Sequence, residues 1–580
     1  MDYRETYESW LSDPYFDEET KAELRAIAND EHEIKERFYA PLKFGTAGLR
    51  GILGAGINRM NVYTVRKATQ GLANYILKQH GEQKGVAIAY DSRHFSPEFA
   101  DEAALCLAAN GIKAYVFDAL RPTPELSFAI RELGCISGIN ITASHNKPQY
   151  NGYKVYWEDG AQITPPHDAG IMDEVLNVTD WNTVKTMDKV TAIDEGLYQV
   201  IGKEIDDAFI NVIKSHCLHP EAISAQGKDL KIVYTPLHGT GNIPARRVLK
   251  ELGFEQVYVV PEQELPDGDF PTVSYPNPEA DEAFALALDL AKKIDADLVL
   301  ATDPDADRLG CRVRDKEGNY HTLTGNMSAC LLAHYEISQR KALTGLPEDG
   351  YLITTIVSSN LAPAIARYYG ADCFECLTGF KWIGRIMLEK EQAGRGTYLF
   401  GFEESYGCLI GTYARDKDSI GAVMALSECA AWYKQRGMTM WDAMLEVYET
   451  YGYYCDGGTS LEFAGLEGAE KISAIMDTLR NTKMETLGAY RVQGFRDYQS
   501  GMTENYLTGE TGETGLPESN VLYYELNDDC WVCVRPSGTE PKIKFYYGVV
   551  GSSLEDAQAK GDTLGKDLLA YMSAIADSQA

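Results

Sequence analysis

The sequence has 580 residues, which is too long for a single hydrophobic core and predicts roughly four domains. Hydrophobic residues make up 44% and charged residues 24%, the composition of an ordinary globular protein. The formal net charge of -32 argues against nucleic acid and anionic membranes as partners, because a field of that sign repels polyanions. A phosphorylated small molecule remains open as a ligand, because it needs only a local cluster of cations and backbone N–H groups.

The N-terminus is polar and acidic, and no run of 18 apolar residues follows, so we expect an intracellular protein without a signal peptide or membrane segment. The 12 cysteines are scattered, which is typical of small buried hydrophobes rather than a disulfide framework. Two Cys-x-x-Cys pairs, Cys373/Cys376 and Cys530/Cys533, lie in strand-like segments. Residues three apart on a strand face opposite sides, so we do not predict zinc there.

Along the chain, acidic amphipathic helices are predicted for residues 1–40, before the glycine-rich segment 44–51 (FGTAGLRG). Strands and helices then alternate, which predicts doubly wound α/β structure. The predicted strands of this first unit are 86–90, 114–117 and 135–141. Ser96-Pro97 is predicted to cap a helix, with the proline at the first helical position, that ends at Asn110-Gly111. Ser144 follows the last of these strands, at the edge where ligands collect in parallel sheets.

The same plan returns twice, and each copy ends in a polar loop. The second copy has strands 231–234, 257–260 and 298–300, helices 244–252 and 281–293, and the loop 303–308 (DPDADR). The third has strands 351–357 and 398–400, a helix ending at Gly370, and the loop 401–407 (GFEESYG). Three such units would surround one central cleft.

After about residue 450 the pattern predicts a smaller α+β domain. Its helix places Ile472, Ile475, Met476 and Leu479 on one face, and its strands are 522–526, 530–534 and 543–547. Residues 499–518 are predicted to be an exposed excursion, and a final helix begins at Leu554.

The segment 141–154 (ITASHNKPQYNGYK) is the first chemical motif. A serine hydroxyl needs a nearby base or cation before it transfers a group, and Ser144 is flanked by His145 and followed by Lys154. Glycines two before and two after Ser144 are absent, which argues against an ordinary esterase. From these residues alone, a polar turn in which Ser144 and Asn146 bond the backbone is the alternative.

The second motif is the alternation of Asp303, Asp305 and Asp307. In an extended loop all three carboxylates would point one way and converge on a hard cation. A calcium loop of the EF-hand type would have glycine at Arg308 and glutamate at Arg314, so Mg²⁺ is the better candidate. The alternative is a solvated acidic loop.

Further loops offer groups suited to a sugar phosphate. Glu403 and Ser405 present a charged acceptor and a hydroxyl that suit the hydroxyl groups of a sugar. Lys381, taken by itself, is typical of a surface cation. Residues 535–541 (RPSGTEP) combine an arginine, two hydroxyls and a glycine into an anion-binding nest without a Walker loop.

These motifs, in this order, resemble those of the α-D-phosphohexomutase superfamily, the phosphoglucomutases and phosphomannomutases. Segment 142–154 resembles the phosphoserine loop, Thr-Ala-Ser-His-Asn-Pro followed by Asn-Gly-x-Lys, except that the proline stands one place late at Pro148. The segment ending in Arg50-Gly51 resembles Gly-Thr-x-Gly-x-Arg-Gly, and 303–308 resembles the metal loop. The Glu-Glu-Ser form of the sugar loop is closer to phosphoglucomutases than to the Glu-Met-Ser-Gly-His form of bifunctional phosphomannomutases. The resemblance covers nearly the whole chain.

The resemblance implies a phosphosugar mutase, an isomerase closest to the α-phosphoglucomutases. It implies that phosphorylated Ser144 exchanges its phosphoryl group with glucose 1-phosphate and glucose 6-phosphate, with glucose 1,6-bisphosphate as intermediate and activator and Mg²⁺ as cofactor. The implied catalytic residues are Ser144, His145, Lys154 and Arg50; the implied metal ligands are Asp303, Asp305, Asp307 and Ser144. The implied substrate-binding residues are Arg308, Thr378, Gly379, Lys381, Glu403, Ser405, Arg535, Ser537, Gly538 and Thr539.

The sequence therefore predicts three doubly wound α/β domains and a C-terminal α+β domain, with boundaries at 1–205, 206–325, 326–450 and 451–580. We expect a cytoplasmic monomer or homodimer that acts on small phosphosugars. Within the class, phosphopentomutase, phosphomannomutase and glucose 1,6-bisphosphate synthase remain alternatives. A metal-dependent sugar phosphatase, in which water captures the phosphoryl group, and a non-catalytic sugar-phosphate sensor are alternatives from other classes.

Overall fold

The computed structural model describes residues 2–42, 48–463, 467–537 and 542–578. Segment 43–47 of the predicted arginine loop and segment 538–541 of the predicted phosphate nest lie outside the described residues. The chain divides into two compact units. Unit 1 comprises Met1–Thr324, Gly384–Arg395 and Tyr406–Thr439, and unit 2 comprises Gly325–Ile383, Gly396–Ser405 and Met440–Ala580.

Unit 1 begins with the predicted acidic helices, which are α1 (Tyr3–Ser12), α2 (Glu18–Ala26) and α3 (Glu31–Phe38). Each starts at an aspartate whose carboxylate accepts a backbone N–H of the first turn, the usual helix N-cap. Trp10 stacks on Phe16 with ring centroids 4.0 Å apart, and the two rings join an aromatic core beneath these helices. This core anchors the helices to the first α/β domain through Tyr63.

The first sheet is mixed and has the strand order β1-β5-β4-β2-β3-β6. Its elements are β1 (Leu49–Ile52), α4 (Val62–Lys78), β2 (Val86–Tyr90), α5 (Ser96–Ala109), β3 (Ala114–Phe117), α6 (Thr123–Leu133), β4 (Ser137–Ile141), β5 (Tyr150–Trp157), α7 (His167–Asn177), α8 (Lys189–Asp194) and β6 (Tyr198–Ile201). Strands β4, β2, β3 and β6 are parallel, whereas β5 and β1 are antiparallel to their neighbours. Every residue of β4 is buried, so Ser144 emerges at the carboxyl end of a central strand as predicted.

Helix α5 starts differently from the prediction. Its N-cap is Phe95, in the left-handed region and without a side-chain cap bond. The hydroxyl of Ser96 instead donates to Asp91 Oδ1 at 2.8 Å. The predicted serine cap is therefore wrong, because a buried carboxylate competes for the hydroxyl.

The second sheet of unit 1 has the order β11-β10-β9-β7-β8. Its elements are α9 (Lys203–Ser215), α10 (Pro220–Gln226), β7 (Lys231–Thr235), α11 (Asn242–Leu252), β8 (Gln256–Val259), α12 (Ala285–Ile294), β9 (Leu298–Thr302), β10 (Leu309–Arg314) and β11 (Tyr320–Leu323), with short 3-10 turns at Pro261–Gln263 and Asp281–Phe284. A further 3-10 turn, Trp181–Thr183, precedes α8 in the region of the first sheet. Strands β9, β7 and β8 are parallel, and the aspartate loop follows the fully buried β9.

The third α/β region places its sheet in unit 2, where β12 lies between β13 and β14 and is parallel to both. Its elements are α13 (Gly325–Thr344), β12 (Gly350–Thr355), α14 (Leu361–Tyr369), β13 (Asp372–Cys376), α15 (Phe380–Gln392), β14 (Thr397–Glu403), β15 (Gly407–Leu409) and α16 (Ser419–Lys434). The last two elements belong to unit 1, together with residues 384–392 of α15.

The C-terminal part of unit 2 is an antiparallel sheet of order β16-β23-β22-β21-β18-β19-β20, with β17 paired to β18. Its elements are α17 (Met440–Tyr451), β16 (Tyr453–Glu462), α18 (Glu467–Asn481), β17 (Thr486–Leu487), β18 (Tyr490–Asp497), β19 (Met502–Asn505), β20 (Thr511–Glu513), β21 (Leu522–Leu526), β22 (Trp531–Pro536), β23 (Lys542–Gly551) and α19 (Leu554–Ser578). The apolar face of α18 packs into this core as predicted. Segment 499–518 is exposed as predicted but forms the hairpin β19-β20, held by backbone pairing.

The architecture confirms the predicted class, an α/β fold with mixed sheets and a C-terminal α+β region. Within the described residues, no helix combines the length and apolar character needed to cross a membrane.

Candidate active site

Ser144 lies in the loop between β4 and β5 and is 4% exposed. Its φ of 52° is left-handed, which is uncommon for a residue with a side chain. Its backbone N–H donates to Thr142 Oγ1 at 2.8 Å. Its hydroxyl donates to Asp303 Oδ2 at 3.0 Å and lies 3.2 Å from His145 Nδ1. The nucleophile predicted on one sheet therefore meets a carboxylate predicted on another.

The late proline is explained by a turn. Tyr150 N donates to Lys147 O at 3.1 Å, which places Pro148 at the second position of a four-residue turn. A fixed φ near −65° suits that position. The shift thus leaves the connection into β5 and Lys154 intact.

Arg50 lies on β1, opposite Gly152 of β5. Its Nη1 donates to Asn146 Oδ1 at 3.0 Å, so it contacts the serine loop two residues beyond Ser144. Burial, together with the positive charges of Arg308 and Arg50, holds the pKa of His145 well below its usual range. The His145 imidazole is therefore neutral near pH 7.

The three aspartates form one cluster, in which a ligand atom from each lies within 4.8 Å of the others. They are 0%, 0% and 2% exposed. The predicted extended loop is wrong. The segment turns at Ala306, whose φ is 51°, and Asp303 Oδ1 accepts the backbone N–H groups of Asp307 and Arg308 at 3.1 and 3.0 Å. The turn, rather than strand alternation, brings the carboxylates together.

The cluster fits a hard divalent cation. Burial and the neighbouring carboxylates raise the pKa of Asp303 and of Asp307, the pattern expected when like charges share a site. Asp305 Oδ1 and Asp307 Oδ1 are buried and have no hydrogen-bond partner in the described part of the chain. Two orphaned carboxylate oxygens beside a third carboxylate and the Ser144 hydroxyl are a donor set that suits Mg²⁺. Among the described residues, this is the one group of three or more acidic, histidine or cysteine side chains placed to hold a metal.

Two lysines face the aspartates. Lys154, on β5, places Nζ 2.9 Å from Asp305 Oδ2 and 3.8 Å from Asp307 Oδ2. Burial would lower its pKa, but the charges of Asp305 and Asp307 outweigh burial and raise it, so Lys154 carries a positive charge. Burial alone would likewise raise the pKa of Asp305, but Lys154 holds it below its usual range. Lys417 Nζ lies 3.2 Å from Asp307 Oδ2 and is 8% exposed.

Sequence reasoning missed Lys417 and also Thr123. Thr123 Oγ1 donates to Asp305 Oδ2 at 3.0 Å and accepts from Asn140 Nδ2 at 2.7 Å. The charged run 415–418 (RDKD), directly before an apolar helix, was the available signal for Lys417. Thr123 lay in a segment that reads only as a linker into α6. Arg308, by contrast, follows the triad as predicted and places Nη1 2.7 Å from Glu279 Oε1.

Unit 2 carries the remaining predicted residues. Gly379 has a φ of 112°, which only glycine adopts readily, and it precedes α15 and Lys381, which is 7% exposed. Thr378 Oγ1 is buried and lacks a hydrogen-bond partner among the described residues. At the end of β14, Ser405 Oγ donates to Glu403 Oε1 at 2.7 Å. These two predicted sugar-loop residues are thus in direct contact.

Glu404 was not predicted to have a role. Thr355 Oγ1 donates to Glu404 Oε2 at 2.9 Å, and burial and the adjacent Glu403 raise the pKa of Glu404 to about 7. Arg535, on β22, is close enough to lower that pKa in turn. Ser537 N donates to Lys542 O at 2.8 Å, between the ends of β22 and β23 that flank the predicted phosphate nest. The predicted residues Gly538 and Thr539 lie outside the described residues.

The structure thus brings Ser144, His145, Lys154, Arg50 and the three aspartates together in unit 1, and Glu403 with Ser405 in unit 2. Their assembly around one cleft stays a prediction.

Comparisons with known proteins point to the same family along most of the chain. Family models of the phosphoglucomutase/phosphomannomutase alpha/beta/alpha domains I, II and III match residues 41–180, 207–318 and 324–451. A phosphoglucomutase of Staphylococcus epidermidis is 37% identical over 534 residues, covering 90% of this chain and 95% of that protein.

Solved structures share the fold. The phosphoprotein pp63/parafusin, a phosphoglucomutase from Paramecium in its open form, superposes with a TM-score of 0.67 at 19% identity, over 93% of this chain and 95% of that one. A phosphoglucomutase/phosphomannomutase family protein from Burkholderia thailandensis gives a TM-score of 0.62 at 19% identity, over 89% and 96%. On the three matched domains and the extended sequence identity, this chain belongs to the phosphoglucomutase/phosphomannomutase family and is a phosphomutase, an enzyme of the isomerase class.

Proposed function

We propose that the enzyme interconverts glucose 1-phosphate and glucose 6-phosphate through a phosphorylated Ser144 and a glucose 1,6-bisphosphate intermediate. The observation that carries the proposal is the buried Ser144 hydroxyl, 3.0 Å from Asp303 of the aspartate cluster. The name and extent of the relatives that are 37% identical support glucose as the sugar.

Asp303, Asp305, Asp307 and Ser144 would hold Mg²⁺. When bound, this ion supplies positive charge that offsets the charge on phosphoryl oxygens. Lys154 adds a fixed cation beside Asp305, and it orients that carboxylate through the 2.9 Å contact. Arg50 holds Asn146 and so the far side of the serine loop. These residues contribute positioning and charge, on which phosphoryl transfer mainly depends.

The reaction has two balanced halves. First, the bond from Ser144 Oγ to phosphorus breaks, a sugar hydroxyl oxygen forms the new bond to that phosphorus, and the hydroxyl proton passes to Oγ. Then Oγ forms a bond to the other phosphorus of the bisphosphate, the bond from that phosphorus to the sugar oxygen breaks, and the Oγ proton passes to the released sugar oxygen. His145 Nδ1 is 3.2 Å from Oγ and, in the tautomer protonated on Nε2, is placed to accept that proton. Lys154 is the wrong charge type for this acceptor role, because its ammonium faces two carboxylates.

The residues of unit 2 would hold the rest of the substrate. We assign the sugar hydroxyls to Glu403 and Ser405 and the non-reacting phosphate to Arg535 and Ser537, with Gly538 and Thr539 as further members of the nest. Thr378, Gly379 and Lys381 would be further substrate-binding residues, and Arg308 would add positive charge beside the bound metal. A cytoplasmic monomer or homodimer, the four domain boundaries and the common cleft likewise stay predictions.

The test combines mass spectrometry with kinetics. Peptide mapping of active enzyme should find a phosphoryl group on Ser144, and Ser144→Ala should abolish isomerisation of glucose 1-phosphate with catalytic bisphosphate. Relative rates on glucose, mannose and ribose 1-phosphates identify the preferred sugar. An active Ser144→Ala enzyme would refute the mechanism, and inorganic phosphate released in place of isomerised sugar would identify a phosphatase.

A further inference from the structure

Arg93 is a fully buried cation that none of the proposed catalytic steps uses. It lies between β2 and α5, and its side chain is 0% exposed. Its Nε faces Asp91 Oδ2 at 3.3 Å, and its guanidinium carbon lies 5.0 Å above the ring centroid of Phe270. Burial of an arginine costs free energy unless its N–H groups are paired. The acceptors of its remaining N–H groups therefore indicate its role.

Within the described part of the chain, the hydrogen bonds of those remaining N–H groups all go to the serine loop. Nη1 donates to Lys147 O at 2.9 Å and to Tyr150 O at 3.0 Å. Nη2 donates to Ser144 O at 2.6 Å and also to Asn146 O. One planar guanidinium thus gathers four backbone carbonyls from the seven-residue segment that begins at Ser144 and ends at the first residue of β5.

The bond to Ser144 O falls at the strained point of the loop. Ser144 has a left-handed φ of 52°, a conformation that side-chain-bearing residues adopt only when their surroundings impose it. Thr142 Oγ1 fixes the N–H of Ser144 and Arg93 fixes its carbonyl, so the peptide groups on both sides of the serine are held. With the backbone in that conformation, Oγ donates to Asp303 Oδ2 at 3.0 Å.

We propose that Arg93 is a positioning residue that imposes the left-handed conformation of Ser144 and thereby aims its hydroxyl at the aspartate cluster. The effect on catalysis rests on the proposed function of Ser144; the effect on loop conformation does not. The simpler explanation, that Arg93 only fills the core and stabilises the fold, predicts different results.

Arg312 supplies a matched control. It is also a buried arginine of unit 1, 2% exposed, with its guanidinium 3.9 Å from the ring centroid of Phe284 and an ion pair of 2.9 Å to Asp281. Its hydrogen bonds reach Cys311 O and Asp281 rather than the serine loop. Loss of a buried arginine is therefore common to both sites, and loss of the loop contacts is specific to Arg93.

The experiment compares Arg93→Lys and Arg93→Gln with Arg312→Lys and Arg312→Gln in the full-length enzyme. We expect the Arg93 variants to lower kcat at least about thirtyfold, with KM for glucose 1-phosphate within about twofold, because orientation for transfer is lost and substrate contacts are kept. Lysine should not restore the rate, because one ammonium cannot reach four spread carbonyls. The Arg312 variants should lose thermal stability while kcat stays within about twofold.

Hydrogen exchange supplies a readout independent of activity. Amides of residues 142–151 should exchange at least about tenfold faster in the Arg93 variants and at the unchanged rate in the Arg312 variants. If Arg93→Gln does not fold, Arg93→Lys decides. A folded Arg93 variant with near-normal kcat, a lost rate with unchanged exchange of 142–151, or failure of both variants to fold would each overturn the proposal. If the active wild-type enzyme carries no phosphate on Ser144, the proposed function is refuted. Faster exchange of residues 142–151 in the Arg93 variants would still support the conformational role of Arg93.

Discussion

At the scale of single residues, the active site is a balance of buried charges. Three carboxylates are opposed by Lys154 and Lys417, and two carboxylate oxygens still lack a hydrogen-bond partner among the described residues. Burial makes such an imbalance costly, which is the physical reason to expect a cation there. The role of Asp307 can be tested without an activity assay.

We expect Asp307→Asn to abolish most of the thermal stabilisation that MgCl₂ gives the wild-type protein. Removing one of the three carboxylate ligands should weaken binding of Mg²⁺ by at least about tenfold, and stabilisation follows ligand affinity. The metal-free melting temperature should change little, because relief of repulsion from Asp305 offsets the lost 3.2 Å contact with Lys417. Asp281→Asn, at a carboxylate that is 94% exposed, is the control and should keep the full shift with MgCl₂. An unchanged shift in Asp307→Asn would remove that residue from the metal site.

A second prediction concerns Asp418, the N-cap of α16, which is 1% exposed and bonded to Tyr413 and Ile420. Burial raises its pKa to about 6, so the folded protein holds this proton more tightly than the unfolded chain. Its contribution to stability is therefore greatest at low pH and is lost as the pH rises through about 6. We expect the difference in unfolding free energy between wild type and Asp418→Asn to fall by about 1 kcal/mol from pH 5.2 to 7.5, measured by urea denaturation. A rising or flat difference would show that Asp418 is not protonated in the folded state.

At the scale of elements, the serine loop depends on close approach of three backbones. A Cβ at Gly152 of β5 would lie 2.4 Å from Thr142 O and 2.9 Å from Leu49 O, both backbone atoms that cannot rotate away. Strand β1, which carries Arg50, and the residue that bonds the N–H of Ser144 would both have to move.

Gly152→Ala should therefore cost about 1 to 3 kcal/mol of stability and should also lower kcat by at least about tenfold at temperatures where the variant is folded, because the loop is displaced. Gly111→Ala is the matched control: its φ is 75°, and a Cβ there would meet nothing within 4 Å. That change should cost about 1 to 2 kcal/mol through backbone strain alone and leave kcat unaltered. An equal kcat for the two variants would show that the close backbone contact at Gly152 does not affect catalysis.

The elements also show what the sequence could and could not reveal. Buried parallel strands such as β4 and β9 are local apolar runs, so they and the polar loops after them were predictable. The turn at Ala306 was not predictable, because it depends on hydrogen bonds that the Asp303 carboxylate accepts from the backbone N–H groups of Asp307 and Arg308. Arg93 was not either, since its four acceptors lie more than fifty residues away and no periodic pattern records such a contact.

At the scale of the whole molecule, phosphate chemistry takes place on a strongly acidic protein. The net charge of -32 repels an anionic substrate at long range, so binding must come from local cations. Arg50, Lys154 and Lys417 lie in unit 1 and Arg535 lies in unit 2. This division suggests separate duties for the chemistry and for the hold on the substrate.

We therefore expect Arg535→Ala to lower kcat/KM for glucose, mannose and pentose phosphates by similar factors. Loss of a charge-assisted contact worth about 1.5 to 3 kcal/mol corresponds to roughly ten- to 150-fold. Glu403→Gln should instead change the ratios among these sugars, because it would contact ring hydroxyls whose arrangement differs. Steady-state kinetics of both variants on three phosphosugars is the measurement. An Arg535 variant that discriminates among sugars, beside a Glu403 variant that does not, would reverse the two assignments.

Each unit is assembled from three separate stretches of chain, and this has a consequence for synthesis on the ribosome. The aspartate cluster is complete once residue 307 has been made, but Lys417 belongs to the last stretch of unit 1, which ends at Thr439. A nascent chain or a truncation product that stops at Thr324 therefore contains the three aspartates and Lys154, but it lacks Lys417, the second lysine that faces them. Such a polypeptide lacks part of its charge compensation, so we expect the N-terminal portion to mature only after translation has passed residue 439.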